Sequence, residues 1–194
     1  MIALFVLAAA RVFSNTPENV AIQAVHNFGA CAVSRTPQGA RELLASDYRA
    51  ADFQARMRAY LKGHARCMPF NGAIGSREVL FAGSLAEALL KADVRRSQLP
   101  QRIAFDPQRA VIAARSPAEE MALCTVFEAP QATARLFETQ PATSEEDRAV
   151  SHIVDVLPRC LKKQTQLTLN TPALRSLLAL AAYRIVTTPR KATP

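Results

Sequence analysis

Apolar side chains recur every three or four residues along most of the chain, which is the period of a helix with one buried face. Threonine and proline pairs, as at Thr16-Pro17 and Thr36-Pro37, mark helix starts because threonine caps the first turn and proline fits there without its missing donor. In the first half the pattern predicts four helices, at residues 16 to about 34, 36 to the break at 46, 53 to about 67, and 77 to 91.

The second half repeats this order of elements. Ser116 with Glu119 is a capping-box pair, and Ser144 with Asp147 resembles one. The predicted helices lie at residues 116 to about 128, 129 to 137, 144 to about 157, and 171 to about 186. Each half also contains one short segment with an extended pattern, at 70–74 and 166–169.

The four cysteines reveal an internal repeat. Cys67 follows Cys31 by 36 residues, and Cys160 follows Cys124 by the same interval, so a shift of 93 maps one pair onto the other. Without gaps, that shift superposes ten identical residues over positions 31–90. They include both cysteines, the Pro-Gln pair at 37–38 and 130–131, and the Arg-Cys pair at 66–67 and 159–160. We interpret the pattern as a duplication.

A duplicated unit once folded alone, so its disulfide should lie within the unit. The repeat therefore predicts the pairs Cys31–Cys67 and Cys124–Cys160. Disulfides persist in oxidising compartments, which favours export. The alternative is four buried thiols in a cytosolic protein. A zinc site is disfavoured because no two cysteines are close in sequence.

Length and composition are consistent with a helical globular protein. The 194 residues are 49% hydrophobic, with six glycines and no tryptophan, and alanine is abundant. We predict an all-α fold of two pseudo-symmetric units of about four helices each, with one disulfide in each unit. The predicted divisions are a leader-like segment (1–15), unit 1 (16–93), a linker (94–108), unit 2 (109–187) and a tail (188–194). The alanine-rich fourth helices of the two units, near 80–90 and 174–185, are expected to pack together.

The first ten residues, MIALFVLAAA, resemble the apolar core and small-residue end of a secretory signal. They lack the usual basic start. Export to the periplasm or the medium is the favoured interpretation, and whether residues 1–10 are cleaved is left open. The alternative is a native apolar segment that packs on the core. No apolar run reaches about 18 residues, so we expect no membrane-spanning helix.

The formal net charge is +8, which could suit an anionic partner. The basic residues form no long stripe interleaved with aromatic side chains, so nucleic acid is a disfavoured partner. The tight basic clusters that could bind an anionic surface are Arg95-Arg96 and Lys162-Lys163.

No catalytic or cofactor-binding motif is present, and we predict no cofactor, no metal and no catalytic residue. His64 and Cys67 have a spacing that could hold a metal, but a disulfide would occupy Cys67. Glu119-Glu120 and the acidic run at 145–147 are explained by their places in helix first turns. Glu87 lies beside an apolar stripe. We expect it to face water, and if buried it would need an arginine such as Arg41 or Arg77.

Several strings resemble small exported helical proteins of Gram-negative bacteria that carry a duplicated two-cysteine unit and have no assigned activity. The strings that carry the resemblance are Cys31-Ala32-Val33, TPQGARELLA at 36–45, Arg66-Cys67, FAGSLAEAL at 81–89, Cys160-Leu161 and LRSLLA at 174–179. The resemblance covers most of residues 20–186 and implies export and a helical fold. It supplies no catalytic residue.

The sequence is therefore consistent with three functions. The first is a non-catalytic envelope protein that binds a partner or has a structural role. The second is an enzyme of unrecognised type with a site between the two units, which a perturbed carboxylate or histidine in a concave pocket would favour. The third is a binder of anionic surfaces through Arg95, Arg96, Lys162 and Lys163.

Overall fold

A computed structural model describes residues 16–68, 78–162 and 169–191, and these residues form an all-α protein without a β-strand. The ten α-helices in these ranges are α1 (Pro17–Arg35), α2 (Pro37–Leu44), α3 (Phe53–Gly63), α4 (Glu78–Asp93), α5 (Leu99–Ile103), α6 (Pro117–Glu128), α7 (Pro130–Glu138), α8 (Ser144–Val154), α9 (Leu157–Cys160) and α10 (Thr171–Thr187). The predicted leader-like segment (1–15), the extended segment 70–74 and residues 166–168 of the extended segment 166–169 lie outside the described residues.

Helix starts agree with the predicted caps at Thr16 and Ser116, whereas Thr36 precedes α2 without a side-chain cap bond. The Thr16 hydroxyl accepts from the backbone of Asn19 at 3.3 Å, and the Ser116 hydroxyl accepts from Glu119 at 3.2 Å. The carboxylate of Glu119 also accepts from the backbone of Arg115 at 2.6 Å, which completes a variant of the capping box.

The third helix of each half ends earlier than predicted. The first of these, α3, ends at Gly63, and a separate 3-10 turn, Ala65–Cys67, carries the cysteine. In the second half α8 ends at Val154, and α9 is a short helix of its own. Pro158 explains the second break, because proline in a helix interior removes a hydrogen bond and clashes with the preceding turn.

Both predicted disulfides are present. Cys31 on α1 bonds to Cys67, and Cys124 on α6 bonds to Cys160 on α9. Each bond ties the long first helix of its half to the turn that follows the third helix. No free cysteine occurs among the described residues.

Helices α4 and α10 form the most extensive helix–helix contact in the described structure, which confirms that the alanine-rich helices pack together. The two helices approach each other very closely at Gly83. A Cβ atom added there would lie 2.3 Å from Cβ and 2.5 Å from Cα of Ser176. Only a residue without a side chain allows this approach, so Gly83 fixes the distance between the two helices.

The segment 94–108, predicted as a linker, contains a 3-10 turn (Arg96–Gln98) and α5. Leu99 and Ile103 of this segment are buried in the same apolar core as α4 and α10. Shifted by 93, α2 and α4 fall within one residue of α7 and α10 at both ends. The division into two pseudo-symmetric units stays a prediction.

Candidate functional site

The least expected feature of the interior is a buried cluster of charges. The side chain of Arg175 on α10 is fully buried, and the side chains of Glu87 on α4 and Glu146 on α8 are 3% exposed. Arg175 donates to both oxygens of Glu87, from Nε to Oε2 at 2.8 Å and from Nη2 to Oε1 at 2.7 Å. Its Nη1 donates to Oε1 of Glu146 at 2.8 Å. The guanidinium therefore joins three helices.

The turn before α8 completes this cluster. Arg175 also donates to the hydroxyl of Thr139 at 3.1 Å and to its carbonyl at 2.9 Å. Glu146 Oε2 accepts from the backbone of Ala142 at 2.7 Å, where φ is 57°. The hydroxyl of Thr143 accepts from the backbone of Glu146 at 3.4 Å.

These bonds correct the predicted start of this helix. The capping pair is Thr143 with Glu146, one residue before the predicted pair of Ser144 with Asp147. Both pairs have the required spacing of residue types. The Thr143 register is the one that turns Glu146 inward, where its carboxylate serves both the turn and Arg175.

The carboxylate of Glu87 and the guanidinium of Arg175 both stay ionised in this cluster. Burial acts to raise the pKa of Glu87, but the hydrogen bonds and charge of Arg175, with His26 and Lys91 adding to them, leave that pKa below its usual range. Burial acts in the opposite sense on Arg175, and the bonds to Glu87 and Glu146 nevertheless leave its pKa raised. The buried charges are thus compensated by one another.

A cavity of about 310 Å³ opens beside this cluster, between α1, α4 and the turn after α7. The lining polar side chains are His26, Asn27, Ser84, Glu87, Lys91, Glu138, Thr139 and Gln140. Lys91 donates to Glu87 Oε1 at 2.6 Å, and His26 Nδ1 lies 3.6 Å from Glu87 Oε2. Burial lowers the pKa of His26 to about 4, so its imidazole is neutral at pH 7.

This arrangement limits what chemistry Glu87 can perform. Its oxygens already accept three hydrogen bonds from Arg175 and Lys91, which leaves the carboxylate little capacity to act as a general base. His26 is neutral and lines the cavity, so its imidazole can exchange a proton or accept a ligand hydrogen bond.

Glu87 is the clearest correction to the sequence analysis. It was expected to face water, yet it is buried. Its partner is neither arginine that was considered. Arg41 pairs with Asp93 at 2.7 Å, Arg77 lies outside the described residues, and the actual partner is Arg175.

Glu119 likewise has a role that its first-turn position did not reveal. It is 7% exposed and forms an ion pair with Arg184 of α10. Arg184 also donates to the carbonyl of Ala113 at 3.1 Å. Helix α10 therefore supplies both arginines that pair with the buried glutamates of other helices.

The possible metal ligands and the basic clusters predicted from the sequence do not come together in one site within the described residues. His64 stacks on Tyr60 with ring centroids 4.2 Å apart, and Cys67 is held in its disulfide. Arg96 is paired with Glu138, and Lys162 with Glu120, while Arg95 is exposed and Lys163 lies outside the described residues. Within the described ranges no three histidine, cysteine or acidic side chains converge on a possible metal position.

A larger cavity of about 630 Å³ lies between α1, α4, α6 and α10. Apolar side chains such as Ile22, Val25 and Leu177 dominate its lining. Among its polar groups, Asn170 is already used, because its Oδ1 caps α10 by accepting from the backbone of Ala173 at 3.0 Å. The cavity offers apolar contact, with no counterpart to the charge cluster at Arg175.

Compared with protein-family models, curated proteins and solved structures, the chain matches none of them. Over the described part of the chain, no helix combines the length and the apolar character needed to cross a bilayer.

Proposed function

We propose that the chain is an exported protein of the bacterial envelope that binds a partner or holds a structural position there, and that it is not an enzyme. The observation that carries this proposal is the pair of disulfides, Cys31–Cys67 and Cys124–Cys160, because such bonds persist outside the reducing cytosol. The absence of free thiols among the described residues agrees with this compartment.

The buried charges support a structural purpose for the most polar part of the interior. The guanidinium of Arg175 donates hydrogen bonds to Glu87, to Glu146 and to Thr139, so the buried charges all have partners. A fully paired cluster of this kind specifies which helices meet, as buried polar groups do in some proteins. We interpret it as a determinant of the fold that presents the binding surface.

Intact mass analysis of the protein from its native cells tests the compartment. The sample is alkylated without reduction, and a reduced and alkylated aliquot is the matched control. Export predicts no alkylated thiol before reduction and four after it, together with recovery in the periplasmic or medium fraction. Four alkylated cysteines before reduction, in a cytosolic fraction, would refute the proposal. Cross-linking in intact cells then identifies the envelope partner.

A second candidate function rests on His26. A neutral imidazole beside a carboxylate in a 310 Å³ cavity is the arrangement that would favour an enzyme or a small-ligand site between the two halves. The test is to record the imidazole resonances while adding mixtures of small polar molecules. Shifts at His26, with none at the exposed His152, would support this candidate. No shift at His26 across the mixtures leaves the binding role as the better account.

A further inference from the structure

A third concave surface lies on the outer side of the Thr139 turn, in the groove between α7 and α8. Its volume is about 440 Å³. The charged and titratable side chains that line it are Arg96, Arg135, Glu138, Glu145, Arg148 and His152. Three guanidinium groups therefore face one groove that contains two carboxylates.

The guanidiniums are only partly used within the protein. Arg96 pairs with Glu138. Arg148 has one long contact, from Nε to the carbonyl of Ser144 at 3.4 Å. Arg135 has no hydrogen bond or ion pair with any residue in the described ranges. At least two guanidiniums are thus free to take an external acceptor.

The pKa of Glu138 reflects the surplus of positive charge around the groove. The hydrogen bond from Arg96 lowers the pKa of this carboxyl, and the charges of Arg96, Arg135 and Lys91 lower it further. The Glu138 carboxylate therefore pairs with Arg96 and lies in the field of two further cations. It neutralises only part of their charge.

We propose that the groove between α7 and α8 binds a phosphate monoester, with Arg135 and Arg148 as its principal ligands and Arg96 and His152 at its edge. Guanidinium groups present planar sets of donors that match the oxygens of phosphate. The groove is open, so the phosphate can belong to a soluble metabolite or to a lipid headgroup.

The repeat supplies an internal comparison for this assignment. Under the shift of 93, the positions that match Arg135, Arg148 and His152 in the first half are Glu42, Ala55 and Ala59. The first half thus has the corresponding helices without the basic set. The three basic residues are not needed to form a helix pair of this kind, which favours a ligand as the reason for them.

Titration calorimetry with the folded, oxidised protein tests the site, with phenyl phosphate as the soluble probe and inorganic phosphate beside it. We expect binding that weakens as salt rises. The double variant R135Q/R148Q should bind at least about tenfold more weakly, since each loses a charge-assisted hydrogen bond. The matched control R58Q/R66Q removes two exposed arginines elsewhere and should bind as the wild type does.

A third variant acts in the opposite direction. E138Q removes the carboxylate that holds Arg96, so it should tighten phosphate binding by severalfold. Equal affinity in R135Q/R148Q and the wild type, or no affinity for the phosphate in any form, would overturn the proposal. Equal weakening of binding in R58Q/R66Q and R135Q/R148Q would also overturn the proposal, because it would show a nonspecific effect of net charge.

Vesicles distinguish the two sources of phosphate. They contain phosphatidic acid in phosphatidylcholine, with pure phosphatidylcholine as control. Loss of vesicle binding in R135Q/R148Q without binding of the soluble probe assigns a lipid headgroup, and binding of phenyl phosphate assigns a soluble ligand. Neither result depends on export, so this proposal and the proposed function can fail separately.

Discussion

Nδ1 of His26 lies 3.6 Å from Oε2 of Glu87, yet the imidazole is neutral at pH 7. Burial is the largest influence on the imidazole and lowers its pKa, the attraction of Glu87 opposes this, and the repulsion of Arg175 and Lys91 reinforces it. His26 is therefore a neutral hydrogen-bonding group. The Glu87 carboxylate beside it is already paired with Arg175.

His26 should make the protein less stable as the pH falls. Its pKa is about 4 in the folded state against 6.5 in the unfolded chain, so between these values the unfolded chain binds the proton more strongly. The stability that depends on a neutral His26 is fully present above pH 6.5 and is lost progressively as the pH falls to about 4. We expect a loss of about 3 kcal/mol, from about 1.4 kcal/mol per pKa unit.

Urea unfolding from pH 7 to pH 4 measures this loss. The variant H26Q should show a smaller loss over that interval than the wild type. The exposed His152 provides the control, and H152Q should follow the wild-type curve. Parallel curves for H26Q and the wild type would contradict the assignment.

The substitution R175M should destabilise the protein by about 3–5 kcal/mol, because it leaves the buried carboxylate of Glu146 without a cation and that of Glu87 with Lys91 alone. The control R41M breaks an exposed ion pair, in which both side chains are 37% exposed, and should cost less than about 1 kcal/mol. Denaturant unfolding of both variants at pH 7 measures the difference.

A double-mutant cycle separates the pair from its surroundings. E87Q with R175M should cost clearly less than the two single substitutions added together, since each removes the group that the other leaves unpaired. Additive costs would show that the ion pair between Glu87 and Arg175 does not carry the effect.

Gly83→Ala should destabilise the protein by about 1–3 kcal/mol, since the added methyl group meets both Cβ and Cα of Ser176. Gly63→Ala is the matched control. No atom lies within 4 Å of the added Cβ there, so it should be neutral or slightly stabilising. Thermal unfolding of the two variants gives the comparison, and equal melting temperatures would exclude the close contact between α4 and α10.

Removal of either disulfide should cost about 3–4 kcal/mol in the chain-entropy model, because each bond joins residues 36 positions apart. The variants C31A/C67A and C124A/C160A test the two bonds separately in urea unfolding. The wild type in reducing agent should lose more stability than either variant. A variant as stable as the oxidised wild type would show that its bond adds nothing to the fold.

Local signals in the sequence predicted local structure well. The caps at Thr16 and Ser116 and the two cysteine pairs were predicted, since a cap needs neighbours three residues away and the repeat gives the pairing. The bond between Glu87 and Arg175 joins residues 88 positions apart, and no local pattern reports such a contact. One signal was available: each is a charged residue in the apolar stretch of a helix that was expected to pack against the other.

The arginines of α10 also determine when the chain can finish folding. During synthesis Glu87, Glu119 and Glu146 all emerge from the ribosome before Arg175 and Arg184, so none of these three glutamates has its guanidinium until α10 follows. A nascent chain that stops before α10 lacks the arginines that pair with these three carboxylates and leaves Gly83 of α4 uncovered. The final positions of α4, α6 and α8 therefore depend on a helix that is synthesised after all three of them.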